Sequence, residues 1–147
     1  MTKHTLINSG GEDTYVKYIK LYLRLHANNH KRTAKLMYWL NRIIFSCDIP
    51  CTVKIGRRLH LPHFGLGVVL HPCTVIGDDV TIYQQVTVGA RNGQWNVEIG
   101  NNVVLGAGCK VLGTLRIGDN CKVGANSVVL KSVPDGMTAV GIPARII

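Results

Sequence analysis

The residues from Ile99 to Val129 read IGNNVVLGAGCKVLGTLRIGDNCKVGANSVV, and this stretch decides the fold. It repeats a six-residue unit that opens on an aliphatic residue, often continues with glycine, and has a small or branched residue at its fifth position. An amphipathic helix repeats at about 3.6 residues and a half-buried strand at about two, so neither accounts for a period of six. The period instead predicts short turns stacked on one another, as in hexapeptide β-helices.

The same repeat extends outward across residues 49–133. Its units open on Ile49, Ile55, Leu61, Leu70, Ile76, Ile82, Val88, Ile99, Leu105, Val111, Ile117, Val123 and Val129. We expect each opening residue to point into a narrow prism, and the glycine after it to supply backbone torsions that other residues avoid. One unit cannot bury its own face, so stability comes from stacking several. The sequence therefore predicts a mainly β protein, with a helical segment at 1–46 and a β-helix domain at 47–147.

The repeat is interrupted twice, and loops that leave a regular scaffold commonly carry function. Nine residues, 61–69, stand where six would continue the repeat, and they include His63. At the second interruption eleven residues, 88–98, stand where six would continue the repeat. This segment is polar and contains Trp95 and Asn96. We expect functional side chains in these two segments.

Two helices are predicted before the repeat. The first begins at Asp13 or Thr14 and ends near His26, and the second covers about residues 31–45. The side of the second helix that we expect to pack against the first turns of the β-helix carries Leu36, Trp39, Leu40 and Ile43.

The formal net charge is +9, and much of it lies in this helical segment. Such a balance can indicate nucleic acid binding, but the repeat has no basic-aromatic motif and the helices have no recognition-helix pattern. We interpret the charge first as a solvated face. An acidic cofactor, or an anionic membrane surface in peripheral contact with the basic helices, is the second interpretation, and nucleic acid is not expected.

Apolar runs and cysteines indicate where the protein resides and whether it binds a metal. The 147 residues contain no apolar run long enough to span a bilayer, and residues 1–13 lack an apolar signal region, which predicts a cytoplasmic protein. An odd count of five cysteines argues against a disulfide framework. Cys47 and Cys51 precede His60 and His63, but the histidines are closer together than finger spacing allows, so no metal site is predicted.

Several motifs resemble those of the hexapeptide-repeat acyltransferases, and among them the serine O-acetyltransferases. The likeness covers residues 48–147. Its most specific parts are Asp48-Ile49, Lys54-Ile55-Gly56, Leu61-Pro62-His63, the segment TIYQQVTVG at 81–89, and the ending Gly141-Ile142-Pro143-Ala144-Arg145. Short members with this outline resemble the acetyltransferases of capsule, exopolysaccharide and colanic-acid gene clusters.

The resemblance implies a left-handed parallel β-helix that forms a homotrimer, with acetyl-CoA in the groove between neighbouring subunits. It also implies that Asp48 and His63 are the catalytic pair. The chemistry suits these residue types, because a hydroxyl is a poor nucleophile until a base removes its proton, and imidazole has a pKa near neutral pH. Such a base typically contributes ~10²–10⁴-fold, and a carboxylate on its other nitrogen fixes the tautomer.

The cofactor contacts are expected at five positions. Gly89, Ala107 and Ala125 should line the groove, because small residues let the pantetheine arm approach the backbone. Lys131 or Arg145 should meet the phosphates. A backbone N–H near Gly89 is the expected donor to the oxyanion of the tetrahedral intermediate.

The acceptor is predicted to be a sugar hydroxyl in surface polysaccharide synthesis. The serine enzymes carry a second histidine in the loop after the Gly89 position, where this chain has Asn96 preceded by Trp95. An amide cannot supply the charge that would hold an amino-acid carboxylate, whereas an indole can stack on a sugar. The short helical segment and the end of the chain at Ile147, without the docking tail of the serine enzymes, favour the same interpretation.

Three alternatives stay open. The first is serine O-acetylation in cysteine biosynthesis. The second is a metal enzyme like the gamma-class carbonic anhydrases, which would need a third histidine besides His63 and His71. The third is a non-catalytic β-helix used for assembly.

Overall fold

The computed structural model describes residues 13–147, and the part of the predicted N-terminal segment before Asp13 lies outside the described residues. Two helices come first, α1 over Thr14–Ala27 and α2 over Lys31–Phe45. Both lie where the sequence predicts them. Thirteen short strands and a 3-10 turn at Pro62–Gly65 follow in this part of the chain.

The strands form three faces of a prism. The first face contains β1 (Lys54–Ile55), β3 (Val75–Ile76), β6 (Val97–Ile99) and β9 (Leu115–Ile117). The second contains β4 (Thr81–Ile82), β7 (Val104–Leu105), β10 (Lys122–Val123), β12 (Thr138–Gly141) and β13 (Ala144–Ile146). The third contains β2 (Val69–Leu70), β5 (Thr87–Gly89), β8 (Lys110–Leu112) and β11 (Val128–Val129). The strand pairs are parallel except β12 with β13, and the chain visits the faces in turn, which confirms the predicted parallel β-helix.

The ladder keeps its register across both interruptions of the repeat. Where the repeat is regular, paired residues such as Val104 and Lys122 are 18 positions apart. The separation is 21 between Lys54 and Val75, across the first interruption, and 23 between Val75 and Glu98, across the second. The extra residues are therefore looped out, so the side chains on either side keep their inward or outward direction.

The core follows the repeat. All the residues that open a unit are buried except Ile55, which is half-buried on the outermost strand of the first face. The residues at the fifth position are buried too, namely Val80, Val86, Val103, Cys109, Cys121 and Ser127. Each coil thus contributes a few aliphatic side chains to one continuous interior.

The glycines after the opening residues are explained by space, and the prediction that they supply unusual torsions is wrong. Gly77 and Gly106 are not among the residues with positive φ. A Cβ added to Gly106 would lie 2.7 Å from the backbone nitrogen of Ala125, and one added to Gly77 would lie 2.7 Å from the carbonyl oxygen of Gly100. Successive coils approach too closely at these two corners for any side chain.

The helix pair packs against the first coils through a different face of α2 from the predicted one. Leu36, Trp39, Leu40 and Ile43 are exposed. The packed side of α2 instead consists of Ala34, Met37, Tyr38, Asn41 and Phe45, which meet the buried α1 residues Tyr15, Val16, Ile19 and Tyr22. Hydropathy counts tyrosine and asparagine as polar and so does not predict their burial. At this interface they are buried or half-buried because their polar groups have hydrogen-bond partners. Neither described helix is long and apolar enough to cross a membrane.

Replacing Gly106 should destabilise the fold through steric overlap alone. Gly106→Ala places a methyl group against the backbone of the next coil, and overpacking of this kind costs about 1–3 kcal/mol. Gly89→Ala is the matched control, because its added Cβ would meet nothing closer than 3.5 Å. Denaturant unfolding measures both variants, and equal stabilities would contradict the steric explanation.

Candidate functional site

His63 lies on a strained, exposed turn. The 3-10 turn of Pro62–Gly65 holds His63 at φ 56° and Phe64 at φ 55°, both in the left-handed region. Non-glycine residues in this region cost on the order of 1–3 kcal/mol each and concentrate at functional sites. The turn occupies the first interruption of the repeat, where loop residues do not have to follow the coil.

Phe64 fixes this turn to the helix pair. Its ring packs edge-on against Tyr15 and tilted against Phe45, with ring centroids 5.6 Å apart in both cases. The turn is closed by a hydrogen bond from the Leu66 N–H to the His63 carbonyl at 3.2 Å. His63 is therefore presented to solvent from a turn that is anchored one residue further on.

Asp48 begins the first coil beside this turn. It forms a parallel bridge with Val69, and its N–H donates to the carbonyl of Val68 at 2.8 Å. Its side chain is 20% exposed. The two predicted catalytic residues thus lie at the same end of the β-helix, within the first circuit of the chain, which closes where Asp48 pairs with Val69.

The carboxylate of Asp48 is bound by α2. The Tyr38 hydroxyl donates to Oδ1 at 2.7 Å, and the Arg42 guanidinium lies 3.5 Å from Oδ2. Within the described residues the imidazole of His63 makes no hydrogen bond or ion pair, so the predicted contact between Asp48 and His63 stays a prediction. Hydrogen bonds of catalytic groups are often long or misaligned without substrate.

The backbone on each side of Asp48 is also bound by helix side chains. The Asn41 amide donates to the Cys47 carbonyl at 2.7 Å, and the Tyr22 hydroxyl donates to the Ile49 carbonyl at 2.8 Å. These contacts are not predicted from the sequence. A signal for part of them exists, because Tyr38 and Arg42 are four residues apart and so share one helix face.

Burial governs the ionisation of Tyr38. It raises the pKa of the Tyr38 phenol, and the hydrogen bond to Asp48 raises it further, while Arg42 opposes the shift. The phenol therefore stays protonated at neutral pH and acts as a donor. An ionised carboxylate is the partner that such a donor stabilises.

The loop with Trp95 and Asn96 lies at a different corner of the prism from His63. The His63 turn joins the second face to the third. Before the turn, His60 pairs with Thr81 of β4 on the second face, and after it the chain enters β2 on the third face. The loop over residues 90–96 joins the third face to the first. A site that uses both within one prism would have to span the third face.

Trp95 and His71 form a stacked pair at this corner. Their ring centroids are 6.1 Å apart with an interplanar angle of 25°, and Trp95 is 46% exposed. His71 accepts a hydrogen bond at Nδ1 from the Cys73 N–H at 3.3 Å. The N–H of Asn96 lies 3.4 Å from Thr114 Oγ1. The indole, backed by an imidazole, presents a flat aromatic face to solvent.

The five residues predicted for the cofactor groove are spread along the prism. Ala107 and Ala125 occupy corresponding corners of consecutive coils, and the Asn126 N–H donates to the Ala107 carbonyl at 2.8 Å. Gly89 ends β5 on the third face, opposite Leu112.

Lys131 and the strand that carries Arg145 border a cavity of about 230 Å³. It is lined by Val129, Leu130, Lys131, Val133, Ala139, Ala144 and Ile146. The structure thus groups Ala107 with Ala125 and places Lys131 beside β13, but the five residues do not enclose one pocket of a single chain.

No cluster of three or more histidine, cysteine or acidic side chains that could hold a metal ion occurs in residues 13–147. His63 and His71 belong to different segments of the coil, at the two corners described above. The residues present therefore offer no metal-binding arrangement in this part of the chain.

Comparison with known proteins identifies the family. A family model for the bacterial transferase hexapeptide (six repeats) matches residues 96–131. A serine acetyltransferase of Helicobacter pylori is 46% identical over 126 residues, which are 84% of this chain and 73% of that protein. One of Staphylococcus epidermidis is 43% identical over 127 residues, 84% of this chain and 59% of that protein. The chain belongs to the serine acetyltransferase family of hexapeptide-repeat transferases.

Solved structures agree with this assignment. The crystal structure of a serine acetyltransferase from Brucella abortus in complex with coenzyme A has a TM-score of 0.85 and 35% identity. The match covers 90% of this chain and 54% of that one. The chain therefore spans between half and three fifths of the length of these Brucella and Staphylococcus proteins.

Phe64→Ala should loosen the turn that carries His63. Aromatic contacts contribute about 0.5–1.5 kcal/mol each beyond area burial, and this change removes the contacts with Tyr15 and Phe45. We expect amide hydrogen exchange at Leu66 and Val68 to become about tenfold faster, as follows from roughly 1.4 kcal/mol of lost protection. Leu66→Ala is the control, because Leu66 is exposed and has no ring contacts. In this variant we expect the exchange rate of the Val68 amide to stay unchanged. Unchanged exchange in Phe64→Ala would show that the ring does not anchor the turn.

Proposed function

We propose that this protein is an acetyl-CoA-dependent O-acetyltransferase whose acceptor is L-serine. The observation that carries the proposal is the 46% identity to the Helicobacter serine acetyltransferase across 73% of that protein. The predicted preference for a sugar hydroxyl is less well supported, because the relatives and solved structures compared above are named serine acetyltransferases. The alternative acceptor of the sequence analysis is therefore favoured over the main one.

His63 is proposed as the general base. Its imidazole removes the proton of the acceptor hydroxyl, and the oxygen attacks the carbonyl carbon of the thioester. The tetrahedral intermediate then collapses, the bond from carbon to sulfur breaks, and the imidazolium returns the proton to the leaving thiolate. The products are an acetyl ester and free coenzyme A. Asp48 is proposed to orient the imidazole and to stabilise its charged form.

Acetyl-CoA is proposed to bind along the corners that carry the small residues. The coenzyme A complex of the Brucella relative supports this cofactor. Gly106-Ala107 and Gly124-Ala125 repeat at one corner, where Ala107 is half-buried and Ala125 is exposed. Lys131 and Arg145, both exposed, are the proposed phosphate partners at the far end of the prism.

A homotrimer is the proposed assembly, with each active site between two subunits. The position of the Trp95 loop supports this arrangement, because it lies at a different corner from the His63 turn. In a ring of three prisms, the His63 corner of one subunit can face the Trp95 corner of the next. The residues that are apart in one chain would then line one groove.

A sugar hydroxyl remains a second candidate acceptor, on a specific observation. The stacked pair of His71 and Trp95 leaves an indole face 46% exposed, and such a face suits the C–H groups of a sugar ring. Asn96 also lacks the positive charge that an amino-acid carboxylate would favour.

His63→Ala should abolish turnover while leaving coenzyme A affinity intact. The base acts on the acceptor hydroxyl, so its loss should lower kcat by ~10²–10⁴-fold. Asp48→Asn should retain more activity, because it alters the tautomer preference without removing the base. Thiol release measures turnover, calorimetry measures coenzyme A binding, and His30→Ala, at an exposed histidine of the helix pair, is the control. Near-normal rates for His63→Ala would mean that another residue is the base.

Direct competition should decide the acceptor. Coenzyme A release is measured with L-serine and with a panel of nucleotide sugars and oligosaccharides, each over a range of concentrations. We expect saturable turnover of L-serine and little of the sugars. Saturable turnover of a sugar, together with its loss in Trp95→Ala, would instead support the second candidate.

A further inference from the structure

We propose that Tyr38 and Arg42 of α2 are positioning residues of the active site, which hold the Asp48 carboxylate in the direction that supports His63. The inference rests on the proposed function, since Asp48 has this role only if His63 is the base. It assigns a part in catalysis to the helix pair, for which the sequence predicts only packing against the first coils.

The two contacts fix the carboxylate by different oxygens. Tyr38 donates to Oδ1 at 2.7 Å, and Arg42 lies 3.5 Å from Oδ2. A carboxylate held at both oxygens cannot rotate freely about its bond to Cβ. It has about four lone-pair sites, so these two partners leave room for an N–H of the imidazole. Support of this kind behind a catalytic group is what keeps its geometry productive.

Separate contacts join the helices to the backbone on either side of Asp48. The Asn41 and Tyr22 side chains bind the carbonyls of Cys47 and Ile49, the residues on either side of Asp48. Tyr22 and Asn41 are fully buried, whereas the Arg42 side chain is 47% exposed. The buried bonds hold the backbone beside Asp48, whereas the contacts from Tyr38 and Arg42 reach its carboxylate and set the direction of that side chain.

Arg42 is itself held in place. Its guanidinium carbon lies 5.4 Å from the centroid of the Trp39 ring, and one of its nitrogens lies 3.5 Å from the Tyr38 hydroxyl. An arginine stacked on an indole loses less freedom when it forms an ion pair. Trp39, Arg42 and Tyr38 thus form a short row along α2 that ends at the carboxylate.

A double-mutant cycle tests the proposal. Tyr38→Phe and Arg42→Gln are each made in the natural protein and in the Asp48→Asn variant, and kcat and KM for the acceptor are measured for every combination. We expect each change to lower kcat about tenfold when Asp48 is present, and about twofold or less in the Asp48→Asn background. A tenfold change corresponds to roughly 1.4 kcal/mol, which is of the size expected for a hydrogen bond to a charged group. Coenzyme A affinity should not change.

Two matched controls separate positioning from structural support. Tyr18→Phe removes a hydroxyl that donates to the Met37 carbonyl at 2.7 Å, next to Tyr38 but without contact to Asp48. Arg32→Gln removes an exposed charge from the same helix. Both should keep kcat within about twofold of the natural protein.

The outcomes are distinct. Equal losses with and without the Asp48 carboxylate, or a loss in Tyr18→Phe as large as in Tyr38→Phe, would show a structural role and overturn the proposal. No loss in either Tyr38→Phe or Arg42→Gln would overturn it as well. If Tyr38→Phe disturbs folding, Arg42→Gln decides, because its side chain is half-exposed. Absence of activity in the natural protein with every acceptor would contradict the proposed function instead.

Discussion

The structure depends on how closely successive coils approach one another at their corners. Strands in a ladder lie about 4.7–4.9 Å apart, and at the Gly106 corner the next backbone is near enough to exclude a methyl group. This constraint explains why the repeat allows only glycine or small residues at particular positions. It also explains why any additional residues must leave the coil as loops, since the ladder itself cannot absorb them. The prism is therefore regular by necessity, and irregularity is confined to a few segments.

The candidate site is built where this regularity stops, and the helix pair supports both of its members. Tyr15 and Phe45 hold the ring of Phe64, which follows His63, while Tyr38 and Arg42 hold the carboxylate of Asp48. Two groups on separate segments are thus fixed to the same pair of helices. The left-handed torsions of the His63 turn persist because the packing of Phe64 against the helix pair compensates for their cost.

The sequence predicts the scaffold well because its repeat records a local and recurrent constraint. The period of six, the buried openings and the two looped-out segments follow from residue spacing alone, as do the bounds of both helices within a residue or two. The direction in which α2 packs does not follow, since Leu36 and Ile43 are more apolar than the residues that the interface uses. Tyr38 and Asn41 are selected there for hydrogen bonds to particular carbonyl and carboxylate oxygens, and hydropathy does not report those partners.

The site is predictable only in part for the same reason. Its residue types suggest a base and a carboxylate, but the position of the Trp95 loop at another corner depends on which faces of the prism each turn connects. The role of the glycines is also hidden, because a one-dimensional pattern does not distinguish a torsional requirement from a steric one. Distances between coils are properties of the stack and appear only once it is assembled.

The looped-out segments have a consequence for how such proteins diversify. The strands before and after residues 90–96 pair in the same register as the regular coils, so a change in the length of that loop leaves the strand pairing intact. Insertions, deletions or exchanges there can accumulate during evolution without a compensating change in the core. The coils of the β-helix can thus stay constant while this single surface segment varies.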